Sequence, residues 1–450
     1  MSESANRNGI HDPAQCGETG NPPAGDLNYD IIVAGGGTAG AAAAVAAARR
    51  GHRVLLVEEQ NCLGGISTSG GVGWWFASLA GMGNIFQSIV ENLKCYGVRQ
   101  EHFFNPEYLK FIWQSLAEAA GVQILFHASV VGTETKAGNI KAVRIACCSR
   151  EFTARAGYFI DATGDGDLAA LAGAEFMKGD PVTGLTLHMS LTAWLYDTGK
   201  TVIPYLPAGL TPISSEAELP GLGGGMLVDN RRVYLNSTKI IRHDPTDPFS
   251  LTAAELEARR QLMRTLHYLQ RTYYPTYLLG GSGAKIGIRE GRRIVGDYLL
   301  RKEELLGRNE PLDFHDGVAV ATCQIDFHSL TKPGASGWRQ KLEPYSIPFR
   351  CLMAKGIKNL LVAGRCISTD QIVQSSCRMT PTCCAMGQAA GTAAALAAEM
   401  NAINVRDVSV QELRAVMAAD GMELDPGRHK AFAPDDTRLD NDDTAAEPIS

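Results

Sequence analysis

Along the first third of the chain, short continuous runs of apolar residues alternate with stretches in which apolar residues recur at every third or fourth position. The continuous runs predict buried β-strands, because a strand covered on both faces needs apolar side chains on both. They lie at 31–34, 54–57, 122–126 and 158–161. The periodic stretches at 84–97 and 106–120 predict helices with one buried face. This alternation indicates an α/β fold around a central parallel sheet.

From about residue 175 to 345 the pattern changes to short strands separated by loops rich in Gly and Pro. Strands are predicted at 186–196 and 232–235, beside one long helix. A capping box formed by Thr252 and Glu255 predicts where this helix begins. We interpret the segment as a separate α+β domain with a mostly antiparallel sheet. Before it, the segments 129–135 and 140–146 predict paired strands joined through Gly138.

The α/β pattern then returns, which indicates that one Rossmann-like domain is built from both ends of the chain. A buried strand is predicted at 358–362, a tight turn at 363–365, an Ala-rich helix at 382–399 and a short helix at 410–422. The predicted boundaries are 29–174 and 346–425 for the discontinuous domain, 175–345 for the inserted domain, and 1–28 and 426–450 for disordered tails.

The first predicted strand leads into three glycines at G-x-G-x-x-G spacing, Gly35, Gly37 and Gly40. Gly35 allows a tight turn, Gly37 allows backbone N–H groups to approach a pyrophosphate, and Gly40 allows the helix to pack close to the strand. The helix begins at Thr38 and Ala39, whose amide groups point towards the phosphates at the positive end of the helix dipole. The motif with its flanking elements predicts a bound dinucleotide.

Glu58 ends the second strand, eighteen residues after Gly40. A carboxylate there accepts hydrogen bonds from a ribose diol and repels a 2′-phosphate. The C-terminal half favours FAD over NAD, because a second strand–turn–helix unit follows more than 300 residues later. The N-terminus of helix 382–399 is suited to the negative charge of a reduced flavin. Gly387 in that helix indicates either contact with this site or close packing between helices.

A further turn, Ala162-Thr163-Gly164, follows the strand at 158–161 and is suited to the ribityl–phosphate region of a flavin cofactor. Asp165 and Asp167 come directly after it. These two acids favour the start of the next helix, with direct cofactor contact as the alternative.

Composition narrows the class of protein. The net charge of −6 gives no support for a nucleic-acid partner, and no apolar run is long enough to predict a membrane span. The 11 cysteines include no C-x-x-C pair, which favours a reduced, cytoplasmic location. The polar N-terminus does not resemble a signal peptide. No spacing of His, Cys and Asp predicts a metal site, and no G-x-S-x-G nucleophile is present.

Four segments together resemble the FAD-dependent oxidoreductase family, whose flavin fold is glutathione-reductase-like or fumarate-reductase-like. They are GGGTAG (35–40) with LGG (63–65), DATGDGDLAALAGAEF (161–176), IGIREGRRIVGDYLL (286–300), and IPFRCLMAKGIKNLLVAGRCIS (347–368) continuing into RMTPTCCAMGQAAGTAAA (378–395). The resemblance covers about 29–425. It implies FAD, a discontinuous cofactor domain and an inserted substrate domain.

The resemblance also implies further cofactor contacts, at Gly64 and Gly65 and, near the adenine, at the backbone of Val130 and Val131. The chain departs from flavoproteins of related folds at Gly364-Arg365, where those proteins often have Gly-Asp. Arg365 is expected either to face a phosphate or to pack on the sheet.

Catalytic candidates are expected where the two domains meet. His328 ends an apolar strand and is the first choice for a base that takes a proton from a substrate hydroxyl or amine. His188, on another predicted strand, is the second. Arg378 precedes the last long helix and is suited to a substrate carboxylate, to reduced flavin or to a structural salt bridge.

A charged cluster formed by Arg289, Glu290, Arg292 and Arg293 is predicted on a helix, either as an ion-pair network between domains or as a substrate site. Tyr345 is a weaker candidate for a proton donor. Cys383 and Cys384 lack the spacing of a disulfide reductase, so dithiol redox chemistry is not expected.

We therefore expect an FAD-dependent oxidoreductase that transfers a hydride between flavin N5 and a small polar metabolite. Oxidation of a C–OH or C–N bond is favoured over reduction of an activated C=C bond, and monooxygenation is disfavoured by the missing Gly-Asp. The electron acceptor (oxygen, quinone or NAD(P)) and assembly as a homodimer stay open. The alternatives are a lyase, isomerase or hydratase in which FAD undergoes no net redox change, and an interaction subunit with a vestigial nucleotide site.

Overall fold

The computed structural model describes residues 27–432, apart from 101, 222–225, 230, 333 and 335–336. Most of the two predicted tails lies outside these residues. The described ends are part of the fold, since Leu27–Asn28 forms a strand and the backbone N–H of Phe432 donates to the carbonyl of Thr322 at 2.7 Å. The folded region therefore extends into both predicted tails. The other predicted domain boundaries stay predictions.

The helices and strands follow the chain in this order. The α-helices of the described residues are α1 (Thr38–Arg49), α2 (Gly83–Cys95), α3 (Pro106–Ala119), α4 (Asp167–Leu171), α5 (Pro248–Thr272), α6 (Lys302–Leu305), α7 (Gln371–Cys377), α8 (Thr380–Glu399) and α9 (Val410–Ala419). The strands are β1 (Leu27–Asn28), β2 (Ile31–Ala34), β3 (Val54–Val57), β4 (Arg99–Gln100), β5 (Phe103–Phe104), β6 (Gln123–Leu125), β7 (Ala128–Lys136), β8 (Asn139–Cys147), β9 (Arg150–Arg155), β10 (Tyr158–Asp161), β11 (Phe176–Lys178), β12 (Ala193–Asp197), β13 (Met226–Asp229), β14 (Arg232–Leu235), β15 (Tyr277–Ser282), β16 (Arg292–Ile294), β17 (Gly317–Ala321), β18 (Ile325–His328), β19 (Gly337–Gln340), β20 (Tyr345–Pro348) and β21 (Leu360–Val362).

A five-stranded parallel sheet in the order β21-β10-β2-β3-β6 forms the centre of the fold. Every residue of β2, β3, β10 and β21 is buried, as the continuous apolar runs predict. Strand β21 comes from the C-terminal part of the chain and pairs with β10. The predicted discontinuous α/β domain with a central parallel sheet is therefore confirmed.

Helices α1 and α8, from opposite ends of the chain, pack against each other at very short range. A Cβ atom on Gly387 would lie 2.0 Å from the carbonyl oxygen of Ala39, and one on Gly391 would lie 2.1 Å from that of Ala43. Glycine is therefore required at both positions by backbone contact. Of the two predicted roles of Gly387, the structure supports close packing between helices.

A second sheet of four strands, β1-β9-β8-β7, lies beside the parallel sheet. Strands β7 and β8 pair as predicted and turn at residues 137–138, where Gly138 has a φ of +75°. Strand β9 adds a third antiparallel strand that the sequence analysis did not predict.

The inserted region contains a four-stranded antiparallel sheet, β13-β14-β12-β15, with α5 packed on it. The prediction of one strand over 186–196 is wrong in its first half, since regular pairing begins only at Ala193. Helix α5 begins one turn before the predicted capping box, because Pro248 occupies its first turn and the Asp247 carboxylate accepts a hydrogen bond from Ser250 N at 2.7 Å. The Thr252 hydroxyl instead donates to the carbonyl of Pro248.

The predicted helix over the charged cluster at 289–293 is also wrong, since Arg292–Ile294 forms strand β16 and pairs with β11. The reason is pairing with a distant strand, since the backbone of residues 292–294 pairs with β11 and Ile294 N donates to Cys366 O at 2.9 Å in place of the local bonds that a helix would need. The buried carboxylate of Glu290 accepts hydrogen bonds from the backbone N–H groups of Gly179 at 3.1 Å and Leu187 at 2.7 Å beside this strand. Among the described residues, we find no helix with the length and hydropathy that a membrane span requires.

Candidate active site

One large cavity connects the carboxyl ends of the parallel strands with the antiparallel sheet of the inserted region. Its volume is about 1510 Å³, which exceeds the roughly 300–1,000 Å³ of an ordinary small-molecule pocket. Three parts of the chain line it: the glycine-rich turns after β2, β10 and β21, the loop at 65–76, and side chains from β14, β18, β19 and the segment before β16. The cavity therefore has room for a dinucleotide and a second molecule.

The three motif glycines have three different surroundings. Gly35 has a φ of +88°, and a Cβ there would lie 2.5 Å from the carbonyl oxygen of Ala162. A Cβ on Gly40 would lie 1.8 Å from the carbonyl oxygen of Gly35. Gly37 differs, because it lines the cavity and, apart from its chain neighbours, no atom of the described residues lies within 4 Å of the position that its Cβ would take. Gly35 and Gly40 therefore shape the turn, while Gly37 leaves open space above it.

The N-terminus of α1 opens onto that space. Gly37 precedes the helix, no side chain caps it, and the first intrahelical hydrogen bond runs from Ala41 N to Gly37 O at 2.8 Å. Thr38 and Ala39 line the cavity, so their N–H groups are placed to receive an anion. This open cradle fits the diphosphate of a dinucleotide.

Glu58 lies in the cavity wall at the end of β3. Its two carboxylate oxygens accept hydrogen bonds from Gly36 N at 2.5 Å and Gln60 N at 2.7 Å. Burial raises the pKa of Glu58, although these backbone hydrogen bonds oppose the effect. Each oxygen keeps a further lone pair, which is suited to the hydroxyl groups of a ribose.

The turn after β10 is held by a buried carboxylate. Asp161 accepts hydrogen bonds from the backbone N–H and hydroxyl of Thr163 at 3.0 and 2.7 Å, and from Ala169 N at 2.8 Å. Burial raises the pKa of Asp161 to about 6 despite these bonds. Ala162, Thr163 and Gly164 are thereby presented to the cavity, where all three contribute to its wall.

Gly364 and Arg365 also line the cavity. The guanidinium of Arg365 donates to Asp165 Oδ1 at 2.6 Å and covers Gly164. Arg365 therefore lies in the cavity wall with Asp165 as its partner, and a contact with a phosphate stays a prediction. Asp165 is thus paired with Arg365, and Asp167 is paired with Arg292 at 2.8 Å.

Four predicted cofactor residues lie behind the wall of the cavity. They are Gly40, Gly64, Val131 and Gly387. Gly64, with a φ of +99°, donates its N–H to Gly36 O at 2.9 Å, and its neighbour Gly65 forms part of the wall. Val130 lines the cavity, and strand alternation turns the side chain of Val131 to the opposite face. A direct cofactor contact by these four residues stays a prediction.

A cluster of charged groups surrounds Asp326 at the other end of the cavity. Asp326 Oδ1 lies 3.1 Å from His328 Nε2 and 3.4 Å from Arg339 Nε, and Oδ2 lies 2.9 Å from an Nη of Arg378. Burial alone would raise the pKa of Asp326, but His328, Arg378 and Arg339 hold it well below its usual range. All four side chains contribute to the cavity wall.

Sequence reasoning selected His328 and Arg378 but missed Asp326 and Arg339. Asp326 precedes His328 by two residues on β18, so both side chains lie on the same face of the strand. Arg339 is the direct cross-strand neighbour of Asp326 on β19. The two-residue spacing was visible in the sequence, whereas the pairing of β18 with β19 was not.

His328 is a neutral imidazole at neutral pH. Burial lowers its pKa to about 4, because the attraction of Asp326 offsets the burial only in part and the nearby Arg289 and Arg339 oppose protonation. His188 lies behind it, with ring centroids 4.5 Å apart and the planes nearly perpendicular. His188 is buried outside the wall, and burial, followed by the charge of Arg289, holds its pKa well below the usual range.

The charged residues of the cluster at 289–293 have two different roles. Glu290 and Arg293 form a buried ion pair that belongs to the structural network. Arg289 instead reaches the cavity, where its Nη1 donates to Ser190 Oγ at 2.8 Å and to His188 O at 3.4 Å. Burial lowers the pKa of Arg289 to about 10, and the neighbouring Arg378 adds to this shift.

The loop at 65–76 forms the wall between the two ends of the cavity. The hydroxyl of Thr192 donates to Gly70 O at 2.7 Å, and the indole N–H of Trp194 donates to Gly71 O at 3.0 Å. Ser67 contacts Thr380 at the start of α8 through their hydroxyls, 3.3 Å apart. The loop is therefore held by both the antiparallel sheet and the C-terminal helix.

Cysteine, tyrosine and metal chemistry receive little support. Within the described residues every cysteine is free, and we find no cluster of His, Cys, Asp and Glu that is suited to a metal ion. Burial raises the pKa of Cys383 to about 12 and that of Cys384 further, so both stay protonated thiols. Tyr345 donates to Ser376 Oγ at 2.9 Å and lies outside the cavity wall.

The family model described as FAD dependent oxidoreductase matches residues 30–417. No curated protein sequence matches the chain. Similar solved structures include a myxobacterial chondrochloren halogenase described as FAD-dependent (12% identity, 88% of this chain and 79% of that chain, TM-score 0.43). A geranylgeranyl bacteriochlorophyll reductase-like protein from Thermoplasma acidophilum shares 11% identity over 91% of this chain and 94% of that chain, with a TM-score of 0.42. These structural similarities are too weak to support an argument about activity.

Proposed function

Since the chain belongs to the FAD dependent oxidoreductase family, we propose that it exchanges a hydride between N5 of FAD and a carbon atom of a small polar metabolite. The family match identifies the protein as an enzyme and FAD as its cofactor. The reaction itself is our proposal. The observation that carries it is the position of the His328–Asp326 pair in the same cavity that has the open N-terminus of α1 at its other end.

The residues of the first half of the cavity would hold the cofactor. The N–H groups at Thr38 and Ala39 would bind its diphosphate beside the open space at Gly37, and Glu58 would accept hydrogen bonds from its ribose. The turn at 162–164 and the N-terminus of α8 at Thr380 would face its flavin half. When bound, FAD supplies the hydride acceptor or donor that no amino-acid side chain provides.

His328 and Asp326 would handle the proton of the substrate. When Nε2 of the neutral imidazole donates to Asp326, Nδ1 is free to take a proton from a hydroxyl or an amine. Asp326 then stabilises the imidazolium that forms. Arg339 and Arg378 keep Asp326 ionised, so that the proton stays on the histidine. In the reductive direction the same nitrogen would return the proton.

Anaerobic mixing of the FAD-loaded protein with candidate alcohols and amines tests the proposal. We expect a substrate to bleach the flavin absorption band. His328→Gln should bind FAD with an unchanged spectrum but bleach roughly 10²- to 10⁴-fold more slowly, because a general base contributes about this factor. His315→Gln is the matched control, since the His315 side chain is 82% exposed. Equal bleaching by wild type and His328→Gln would contradict the role of His328.

The same base would also serve a lyase, isomerase or hydratase that abstracts a proton without net redox change. Turnover measured with the flavin held oxidised or reduced throughout, and without an electron acceptor, separates this alternative from the main proposal. Loss of bleaching combined with continued turnover would favour it. Direct mixing with NAD(P)H, oxygen or a quinone would identify the electron acceptor. A cytoplasmic location and a homodimer stay predictions.

A further inference from the structure

We propose that Arg289 is the anchoring site for a carboxylate group of the substrate, so that the metabolite is a carboxylate-bearing alcohol or amine. The inference rests on the proposed function, because it takes the end of the cavity beside His328 as the place where the metabolite binds. It is carried by the charge balance around Asp326 and by the access that Arg289 has to the cavity.

Arg289 is the cation that the cluster leaves without an acid. Arg339 and Arg378 share the carboxylate of Asp326. The hydrogen bonds of Arg289 go to a hydroxyl, Ser190 Oγ, and to a carbonyl, His188 O, and no carboxylate of the described chain lies within ion-pair distance. A neutral acceptor orients a guanidinium but does not balance its charge.

Other enclosed arginines of the same chain show the usual arrangement. Arg293 pairs with Glu290, and Arg365 pairs with Asp165. Charged side chains are rarely enclosed without a partner, since their desolvation costs several kcal/mol. The enclosure of Arg289 lowers its pKa, and the neighbouring Arg378 raises the local positive potential further. Arg289, Arg339 and Arg378 together carry three positive charges against the one carboxylate of Asp326, so the chain leaves positive charge unbalanced at this point.

The missing charge can come only from the cavity side of Arg289. Ser190, the hydrogen-bond partner of Arg289, lines this cavity, and so do Tyr234 and Asn236. Asn236 Oδ1 is a buried acceptor without a hydrogen-bond partner among the described residues. Burial keeps Tyr234 a protonated phenol and therefore a donor. This surface combines one unbalanced cation with neutral polar groups, which is the composition of a binding site for one anionic group and a neighbouring donor.

The surroundings favour a carboxylate over a phosphate. The planar guanidinium matches the two oxygens of a carboxylate. Trp74, Phe76 and Ile288 line the same cavity and provide apolar walls for the carbon skeleton of an organic acid.

The anchor also lies next to the proposed base. Arg289 donates to the carbonyl of His188, and the ring of His188 packs against that of His328. A substrate held through its carboxylate at Arg289 would therefore present a neighbouring part of its skeleton to His328. Arg289 and His328 would therefore act on one molecule, with His188 packed behind His328.

Isothermal titration calorimetry with matched acid and amide probes tests the inference. Sodium benzoate is compared with benzamide, and sodium acetate with acetamide, on both FAD-loaded and FAD-free protein. We expect the wild type to bind each acid at least about tenfold more tightly than its amide. Arg289→Gln should lose roughly 10- to 100-fold of the acid affinity, the equivalent of one hydrogen bond to a charged group. Arg260→Gln, a charge-matched change on the surface of α5, should bind like the wild type.

The flavin spectrum and the FAD affinity of Arg289→Gln provide the second measurement, and both should match those of the wild type. If Arg289→Gln does not fold, Arg289→Lys is tested in its place. This variant keeps the positive charge but lacks the planar guanidinium with its paired N–H donors. It should bind the acids more weakly than the wild type and leave amide binding unchanged.

Three results would overturn the inference. They are a wild type without preference for the acid over the amide, an Arg289→Gln variant with normal acid affinity, and inorganic phosphate that displaces benzoate at lower concentration than acetate does. The titrations need no redox turnover. Acid binding that depends on Arg289, in a protein whose flavin no carboxylate-bearing alcohol or amine bleaches, would therefore refute the proposed function and leave the carboxylate site intact.

Discussion

At the scale of single residues, the neighbours of a side chain decide its chemistry more than its type does. Arg293 and Arg365 are structural because each has its own acid, whereas Arg289 has none. His328 has an acid partner and a place in the cavity wall, while His188 is buried behind it. The residues that differ in this way are the ones on which catalysis and substrate binding are proposed to depend.

The enclosure of His328 predicts that its contribution to the stability of the folded protein is lost as the pH falls from about 6.5 to 4. The pKa of His328 is lowered from 6.5 to about 4, so the unfolded chain binds more protons than the folded one in this range. A shift of this size is equivalent to on the order of 3 kcal/mol. His188, with its pKa lowered in the same direction by burial and Arg289, adds to the effect, and the positive charges of Arg289 and Arg339 oppose protonation of His328.

Urea unfolding midpoints of the FAD-free protein between pH 4 and 8 measure this dependence. The wild type should lose stability relative to His328→Gln as the pH falls below about 6.5, while the raised pKa of Asp161 acts in the opposite direction in both proteins. Replacement of the exposed His315 by Gln should leave the slope unchanged. A difference in midpoint between the wild type and His328→Gln that stays constant between pH 8 and 4 would contradict the interpretation of His328 as an enclosed neutral imidazole.

At the scale of elements, two helices rich in small residues, α1 and α8, come from opposite ends of the chain and support the part of the cavity where FAD is proposed to bind. Helix α1 is almost entirely Ala and Gly, and all but its last residue is buried. Gly387 and Gly391 of α8 let the two helices approach until backbone meets backbone. The N-terminus of α1, with its open N–H groups, is thereby held at a fixed position above the parallel sheet.

Alanine substitutions at two of these glycines should have opposite effects on protein stability and on FAD binding. Gly387→Ala should destabilise the FAD-free protein by about 1–3 kcal/mol, because its Cβ would lie 2.0 Å from the carbonyl oxygen of Ala39. Gly37→Ala should leave the FAD-free protein as stable as the wild type, because no atom lies within 4 Å and a φ of −58° suits alanine. It should weaken FAD binding by about tenfold or more, since its methyl group would occupy the space of the diphosphate.

Thermal unfolding without FAD and fluorescence titration with FAD measure the two effects separately. Alanine at Gly51, a glycine with a φ of +88° and open surroundings outside the cavity, controls for backbone strain alone. A Gly37→Ala protein that binds FAD normally would contradict the cradle at the start of α1.

At the scale of the whole molecule, the cavity exists because distant parts of the chain meet. Its wall combines turns after β2, β10 and β21 with the face of the antiparallel sheet. A second hydrophobic core under that sheet, between β12, β14 and α5, supports its shape. The loop at 65–76 is bonded to both halves, as the contacts of Gly70 and Ser67 show. The loop at 65–76 therefore joins the inserted antiparallel sheet to the start of α8.

This arrangement predicts that FAD protects both ends of the chain together. Hydrogen exchange measured by mass spectrometry should slow at 35–40 and at 378–384 with the same dependence on FAD concentration. At 100 times the dissociation constant, FAD should stabilise the fold by about 2.7 kcal/mol. The outer face of α5, around Arg260, should not change. Protection confined to the N-terminal segment would contradict a cavity shared by the two ends.

The sequence by itself determined the elements whose signals are local. The strands at 31–34, 54–57 and 158–161 were predicted at their observed bounds, since continuous burial leaves a continuous apolar run. The roles of Gly35 and Gly40 followed from turn geometry, and the opening at Gly37 followed from their spacing.

The tertiary structure alone decided where the chemistry lies. Arg339 meets Asp326 only through the pairing of two strands, and residues 292–294 form a strand because they pair with β11, more than 100 positions away in the chain. The neutral state of His328 and the unbalanced charge of Arg289 depend on burial and on the sum of neighbouring charges. Such quantities arise when distant segments exclude water together, and no local pattern of residues records them.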